Sequence, residues 1–183
     1  MNKVMHYFMK RAVEDPTFFY KFHVDEENKV KNIYLRESIA LKWYVEYGDC
    51  LSFDTTYMTN RYNFPFAAIV EISGHAHTII FGCAFISDET TKTFKWLFEA
   101  FLESMGGKHP KTIITDQDQD QAMRAAIEIV MPQTIHRNCF FHIKSKCDSK
   151  NGRCFVVNKG LPDRFEDIVN NSVTEEFIHL WQK

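Results

Sequence analysis

Apolar positions along this chain change period several times, and each change predicts an element. Residues 3–13 repeat at helical spacing and stop before Asp15-Pro16. Phe18-Phe-Tyr-Lys-Phe-His-Val24 and Val30-Lys-Asn-Ile-Tyr-Leu35 read as two strands, with the polar Asp25-Glu-Glu-Asn-Lys29 as a hairpin loop between them. Residues 37–47 form a short helix that ends at Gly48. Leu51, Phe53, Thr55 and Tyr57 then alternate with Ser52, Asp54 and Thr56, the period of a half-buried strand. Phe64–Ile72 and Thr78–Phe85 are apolar strands joined through Ser73-Gly-His-Ala-His77, so residues 51–85 predict a three-stranded antiparallel meander.

The next segment has the firmest periodicity. Phe94, Leu97, Phe98, Phe101, Leu102 and Met105 fall at i, i+3, i+4, i+7, i+8 and i+11, one continuous helical stripe. Thr90 or Thr91 can cap its start, and Gly106-Gly107 can stop it. Lys111–Thr115 is a short β-branched strand that runs into Asp116, followed by a helix over about 119–130 that Pro132 ends. Gln133–Arg137 predicts one more strand, and another helix begins near Cys139. From Leu51 onward the order is β-β-β-α-β-α-β-α, which predicts an α/β fold: a ribonuclease H-like, mixed five-stranded sheet with flanking helices. A helix between the third and fourth strands permits a crossover that sets the strands of Asp54 and Asp116 side by side and parallel.

Composition narrows the class. In 183 residues, seventeen Phe against seven Gly argue for a packed core. The 22 Lys and Arg nearly balance 24 Asp and Glu, a net charge of −2, which is not the basic excess of a stand-alone DNA-binding module. DNA contact would need a local basic patch. No apolar run approaches the roughly 20 residues that span a bilayer, so no membrane partner is expected. Five irregularly spaced cysteines, Cys50, Cys83, Cys139, Cys147 and Cys154, suit a reducing compartment.

Two carboxylates delivered by neighbouring strand ends suit phosphodiester chemistry. Two Mg²⁺ or Mn²⁺ ions about 3.5–4 Å apart can activate the attacking oxygen and stabilise the leaving one. Such hard cations take oxygen ligands and leave room for water and phosphate. A lone Asp at a strand end is otherwise a common turn former or helix cap, and Asp116 can also cap the helix near Gln119.

A longer series of residues is more specific. Gly48-Asp-Cys-Leu-Ser-Phe-Asp-Thr-Thr-Tyr-Met-Thr-Asn60 is followed by Tyr62-Asn-Phe-Pro-Phe66, Phe81-Gly-Cys-Ala84, Asp88-Glu-Thr90 and Trp96-Leu-Phe98. Ile113-Ile-Thr-Asp-Gln-Asp118 and His136-Arg-Asn-Cys-Phe-Phe-His142 complete it. In order and spacing the series closely resembles the Mutator-like transposase domain of the plant far-red-impaired-response family, over roughly residues 15 to 180. The resemblance implies domesticated, transposase-derived nuclear proteins that act mainly in transcription regulation, with DNA as partner and dimers with themselves or relatives. It gives Asp54 and Asp116 the first two places of an Asp-Asp-Glu set, as catalytic and metal-binding residues. It matches Cys139 and His142 to a Cys-x-x-His element near the active site. Zinc belongs to finger domains of that family that these residues do not include.

The resemblance divides the chain into a lead-in segment (1–47), a ribonuclease H-like core (48–146) and the start of a helical insertion (147–183). The sequence ends before the segment expected to carry the third acid, and Glu175 and Glu176 fall within the insertion. This chain is therefore expected to act without independent catalysis. A fragment of a competent transposase and a protein-interaction module are the alternatives. Gln117-Asp-Gln-Asp-Gln121 carries an extra Asp-Gln pair relative to the family, leaving Asp118 or Asp120 as substitutes at the site.

Four other groupings have chemistry of their own. Cys139, His142, Cys147 and Cys154 are zinc-ligand types, but their spacing matches no known finger. His75 and His77 lack a third ligand, and Phe140 and Phe141 read as core rather than as base-stacking platforms. Lys144, Lys146, Lys150 and Arg153 lie in a basic stretch that is either a phosphate contact or a solvated loop.

Overall fold

The computed structural model describes residues 2–56, 63–72, 77–116 and 120–170. The chain divides into two compact units, Met1–Cys139 and Phe140–Lys183.

The first unit is built on one mixed sheet. Its strands are β1 (Phe19–Val24), β2 (Val30–Arg36), β3 (Cys50–Thr56), β4 (Phe66–Ile72), β5 (Thr78–Phe85), β6 (Thr112–Thr115) and β7 (Ile135–Asn138). Their spatial order is β1-β2-β5-β4-β3-β6-β7. The meander β3-β4-β5 is antiparallel, whereas β6 joins β3 and β7 joins β6 in parallel. The run β5-β4-β3-β6-β7 is the five-stranded ribonuclease H-like arrangement predicted from the sequence. Two strands extend it: the lead-in hairpin β1-β2 pairs with β5 antiparallel through Ile33–Phe85, Tyr34–Ala84 and Leu35–Cys83.

That extension follows from side-chain pattern. Phe18, Tyr20 and Phe22 pack with Phe8 of α1 (Asn2–Glu14), in a small cluster completed by Val30 and Ile33. On the other side of β1, Phe19 meets the Tyr34 ring edge-on at 6.0 Å, and His23 stacks on Trp96. A hairpin apolar on both faces needs cover on both, and the sheet edge at β5 places it between α1 and the main core.

The main core lies under α2 (Ser38–Tyr47), α3 (Thr91–Ser104) and α4 (Asp120–Val130). The α3 stripe buries Phe94, Leu97, Phe98, Phe101, Leu102 and Met105. Phe53 of β3 meets Phe94 and Phe98 edge-on, and Tyr44 of α2 meets Phe81 and Phe101 in the same way, at centroid distances of 5.2 to 6.0 Å. From α4 come Met123, Ala126 and Ile127, with Met131 just beyond it. Both ends of α3 follow the sequence. Thr90 caps it, its Oγ1 accepting from the Thr93 amide at 3.3 Å. Gly106 and Gly107 stop it at φ of +67° and +78°. The Gly107 N–H donates to the Leu102 carbonyl and that of Gly106 to Glu103, the paired bonds of a Schellman cap.

Two features of this unit yield measurable outcomes. Tyr34 is fully buried, bonded to Ser104 Oγ at 2.9 Å, and its hydroxyl lies over Gly82. A Cβ on Gly82 would meet Tyr34 Oη at 2.4 Å. Gly82→Ala should therefore destabilise the fold by about 1–3 kcal/mol, read as a lower urea midpoint at unchanged slope.

Glu71 of β4 keeps Oε2 buried without a protein partner. Burial pushes its carboxyl above the ordinary value and Asp49 adds to this, against an N–H from Cys50 that pulls it down. A carboxyl raised in the folded state favours folding while protonated, and that contribution is lost as pH rises through its folded pKa. Glu71→Gln should thus be more stable than wild type at pH 7 and lose that advantage near pH 4, in urea titrations at both pH values.

The second unit contains α5 (Phe140–Val157) and α6 (Leu161–Asn170).

Candidate metal site

The β3–β6 ladder brings the two acids to neighbouring strand ends. Its register pairs Cys50 with Thr112, Leu51 with Ile113, Ser52 with Ile114 and Phe53 with Thr115. Asp54 and Asp116 are the next residues on each side. Phe53 and Thr115 are each 1% exposed, and alternation sends the following side chains to the opposite face. Asp54 is exposed and Asp116 half-buried. Parallel neighbours lie about 4.8 Å apart, so the two acids follow directly on adjacent strands. The Thr55 N–H donates to Asp54 Oδ1 at 2.8 Å.

A third position joins this row. The Cys139 N–H donates to the Thr115 carbonyl at 2.7 Å, continuing the β6–β7 ladder one residue past Thr115–Asn138. Cys139 therefore stands beside Asp116 at the same end of the sheet. Its thiol forms no disulfide, and neither do those of Cys50, Cys83 and Cys147 among the described residues. His142 and Cys147 lie on α5, in the second unit. Among the described residues no group of three His, Cys, Asp or Glu is disposed to hold a metal ion. Two oxygen donors with solvent access nevertheless fit a hard divalent cation, which takes few protein ligands.

Sequence reasoning assigned no role to the residues behind these acids. Thr115 Oγ1 lies 2.8 Å from His136 Nε2, and Thr55 Oγ1 donates to Glu89 Oε1. His136 and Glu89 belong to the quoted motifs, but spacing along the chain does not reveal a bond between strands.

The remaining residues fall elsewhere. Lys144, Lys146 and Lys150 lie on α5, so the stretch is helical and the solvated-loop alternative does not hold. Lys144 pairs with Glu166 of α6 at 3.1 Å, while Lys150 is exposed. Phe141 is 72% exposed and not core; Phe140 is half-buried. His77 is exposed at the start of β5. His75, Asp118, Glu175 and Glu176, and the side chains of Asp120, Arg153 and Cys154, are outside the described residues.

The MULE transposase domain model matches residues 50–146, the segment holding both acids and Cys139. This chain belongs to the MULE transposase domain family. Protein FAR1-RELATED SEQUENCE 5 of Arabidopsis thaliana is 36% identical over 97% of this chain, and Protein FAR-RED IMPAIRED RESPONSE 1 of the same plant is 29% identical over 98%. In each case the MULE chain spans about a fifth (22%) of the curated relative's length. Among solved structures, the HTLV-2 integrase catalytic core domain in complex with magnesium is similar over 58% of this chain and 71% of that one. The identity is 16% and the TM-score 0.31, a likeness too loose to carry chemistry. Among the described residues no helix is long and apolar enough to cross a membrane.

Because Asp54 is exposed, the fold does not depend on its charge. Asp54→Asn should leave unfolding free energy within about 0.5 kcal/mol of wild type in metal-free buffer, measured by urea titration.

Proposed function

We propose that this MULE domain is a transposase-derived regulatory module. It holds Mg²⁺ or Mn²⁺ between Asp54 and Asp116 and works on DNA in the nucleus, as part of transcription control and not as a strand-transfer enzyme by itself. The observation that carries the metal reading is the parallel β3–β6 ladder, which ends at Phe53 and Thr115, the residues directly before Asp54 and Asp116. Similarity to FAR1-RELATED SEQUENCE 5 and FAR-RED IMPAIRED RESPONSE 1 supports the regulatory reading. A bound divalent cation would supply positive charge for a phosphate oxygen. The chain's own part is to orient the carboxylates, with the Thr55 amide holding Asp54 Oδ1. Cations for DNA backbone contact are Lys146 and Lys150, four residues apart on α5 and hence on one helix face. Lys144 with its Glu166 partner, and Arg153, complete the basic set. Pairing with a second copy or a relative also belongs to this reading.

The intact carboxylate pair favours one second reading, a piece of a competent Mutator-like transposase. Calorimetry with Mn²⁺ tests what both share. Wild type should bind saturably, and Asp54→Asn and Asp116→Asn should each weaken binding at least tenfold while remaining folded. Absence of saturable binding by folded wild type would remove the metal from both readings. Mn²⁺-dependent nicking of supercoiled DNA by the wild-type chain, lost in both variants, would favour the enzyme.

A further inference from the structure

Each acid is preceded or followed by a threonine that points the other way. Thr115 precedes Asp116 and is 1% exposed; Thr55 follows Asp54 and is 7% exposed. A buried hydroxyl needs a partner, and here each finds a side chain from a different element. Thr115 Oγ1 sits 2.8 Å from His136 Nε2 on β7. It also donates to the Asp116 carbonyl at 3.3 Å. A hydroxyl has one proton, so when that proton points to Asp116, His136 is the donor and carries hydrogen on Nε2. In that tautomer the contacts run from His136 Nε2–H to Thr115 Oγ1–H to the Asp116 backbone, from the strand next to the acid. On β3, Thr55 Oγ1 donates to Glu89 Oε1 in the loop between β5 and α3, and the Thr55 amide holds Asp54 Oδ1.

We infer that Thr115 with His136, and Thr55 with Glu89, are positioning residues that fasten the ends of β6 and β3 from the core side. They thereby hold Asp54 and Asp116 at matched height for one cation. The β3–β6 ladder ends at Phe53 and Thr115, one step before either acid. Asp54 and Thr55 are still paired with Ala68 and Ala67 of β4, whereas Asp116 stands just past β6, so the β3–β6 pairing alone does not set the spacing of the acids. Neither His136 nor Glu89 touches the cation in this scheme; each acts through a threonine. The inference rests on the proposed metal site for its consequence, and on hydrogen bonds alone for its mechanism.

The test has two readouts on the whole chain. Mn²⁺ calorimetry on Thr115→Val, Thr55→Val and His136→Leu should show about tenfold weaker binding each, the size of one hydrogen bond. Thr115→Ser, Thr55→Ser and His136→Gln, which keep a polar atom in place, should stay within about twofold of wild type. Amide hydrogen exchange in metal-free buffer should be faster at Asp116 in Thr115→Val and His136→Leu, and faster at Asp54 in Thr55→Val, but unchanged in the three conservative variants. Equal Mn²⁺ affinity across all variants would overturn the inference, as would serine variants that bind as weakly as the valine ones. If wild type binds no Mn²⁺, the metal reading fails while exchange still decides the fastening: unchanged rates at Asp54 and Asp116 refute it. Should Thr115→Val not fold, the His136 pair of variants, on a half-buried side chain of the edge strand, decides the same question.

Discussion

The parallel pairing of β3 with β6 is the constraint from which the rest of the first unit follows. Parallel neighbours cannot be joined by a tight turn, so the chain must leave β5, cross one face and return before β6 can form. That crossing is α3, and its six-residue apolar stripe is what makes the crossing stable. Phe94 and Phe98 close on Phe53, the β3 residue directly before Asp54. The ring that anchors the core and the carboxylate that faces away from it are therefore consecutive. Anything that tightens α3 on β3 also steadies Asp54.

The two sides of β3 and β6 carry different duties. The core side is dry and close-packed, with Phe53, Ile113 and Thr115 nearly inaccessible. The other side presents Ser52, Asp54, Ile114 and Asp116 at half-buried or exposed positions. A period of two keeps these duties apart, and a one-residue slip of either strand would exchange them. Register is thus the shared requirement of packing and of chemistry. The polar atoms admitted to the core side, the Thr55 and Thr115 hydroxyls, are the ones bonded across elements.

Much of this was legible in the sequence where local pattern decides local structure. The stripe of α3, its Thr90 cap and its Gly106-Gly107 stop need only neighbours within one or two turns, and they appear as read. The alternation of 51–56 and the topological order were enough to place Asp54 beside Asp116. What escaped depends on distant partners. Nothing near Tyr34 announces that β2 will pair with β5, about fifty residues away; the clue was the unbroken Phe18-Phe19-Tyr20 run, which lacks the single wet face of an isolated hairpin. Residues 144–153, rich in Ser, Asn and Lys, resemble a loop by composition, yet they lie inside α5. The bonds of His136 and Glu89 join strands and loops whose adjacency exists only after folding.

The lead-in hairpin bears on where this domain can be cut. The family's shared span begins at residue 50, but β2 covers the outer edge of β5, and Tyr34 roofs Gly82 and reaches Ser104 on α3. A piece trimmed to residues 50–146 would expose the N–H and C=O groups of β5 along an apolar strand, a ready template for pairing with another chain. It would also open a vacancy the size of a tyrosine ring above the sheet. Solubility, more than chemistry, sets the amino-terminal limit of a usable fragment, and that limit lies ahead of Phe18, where the ring cluster under α1 begins.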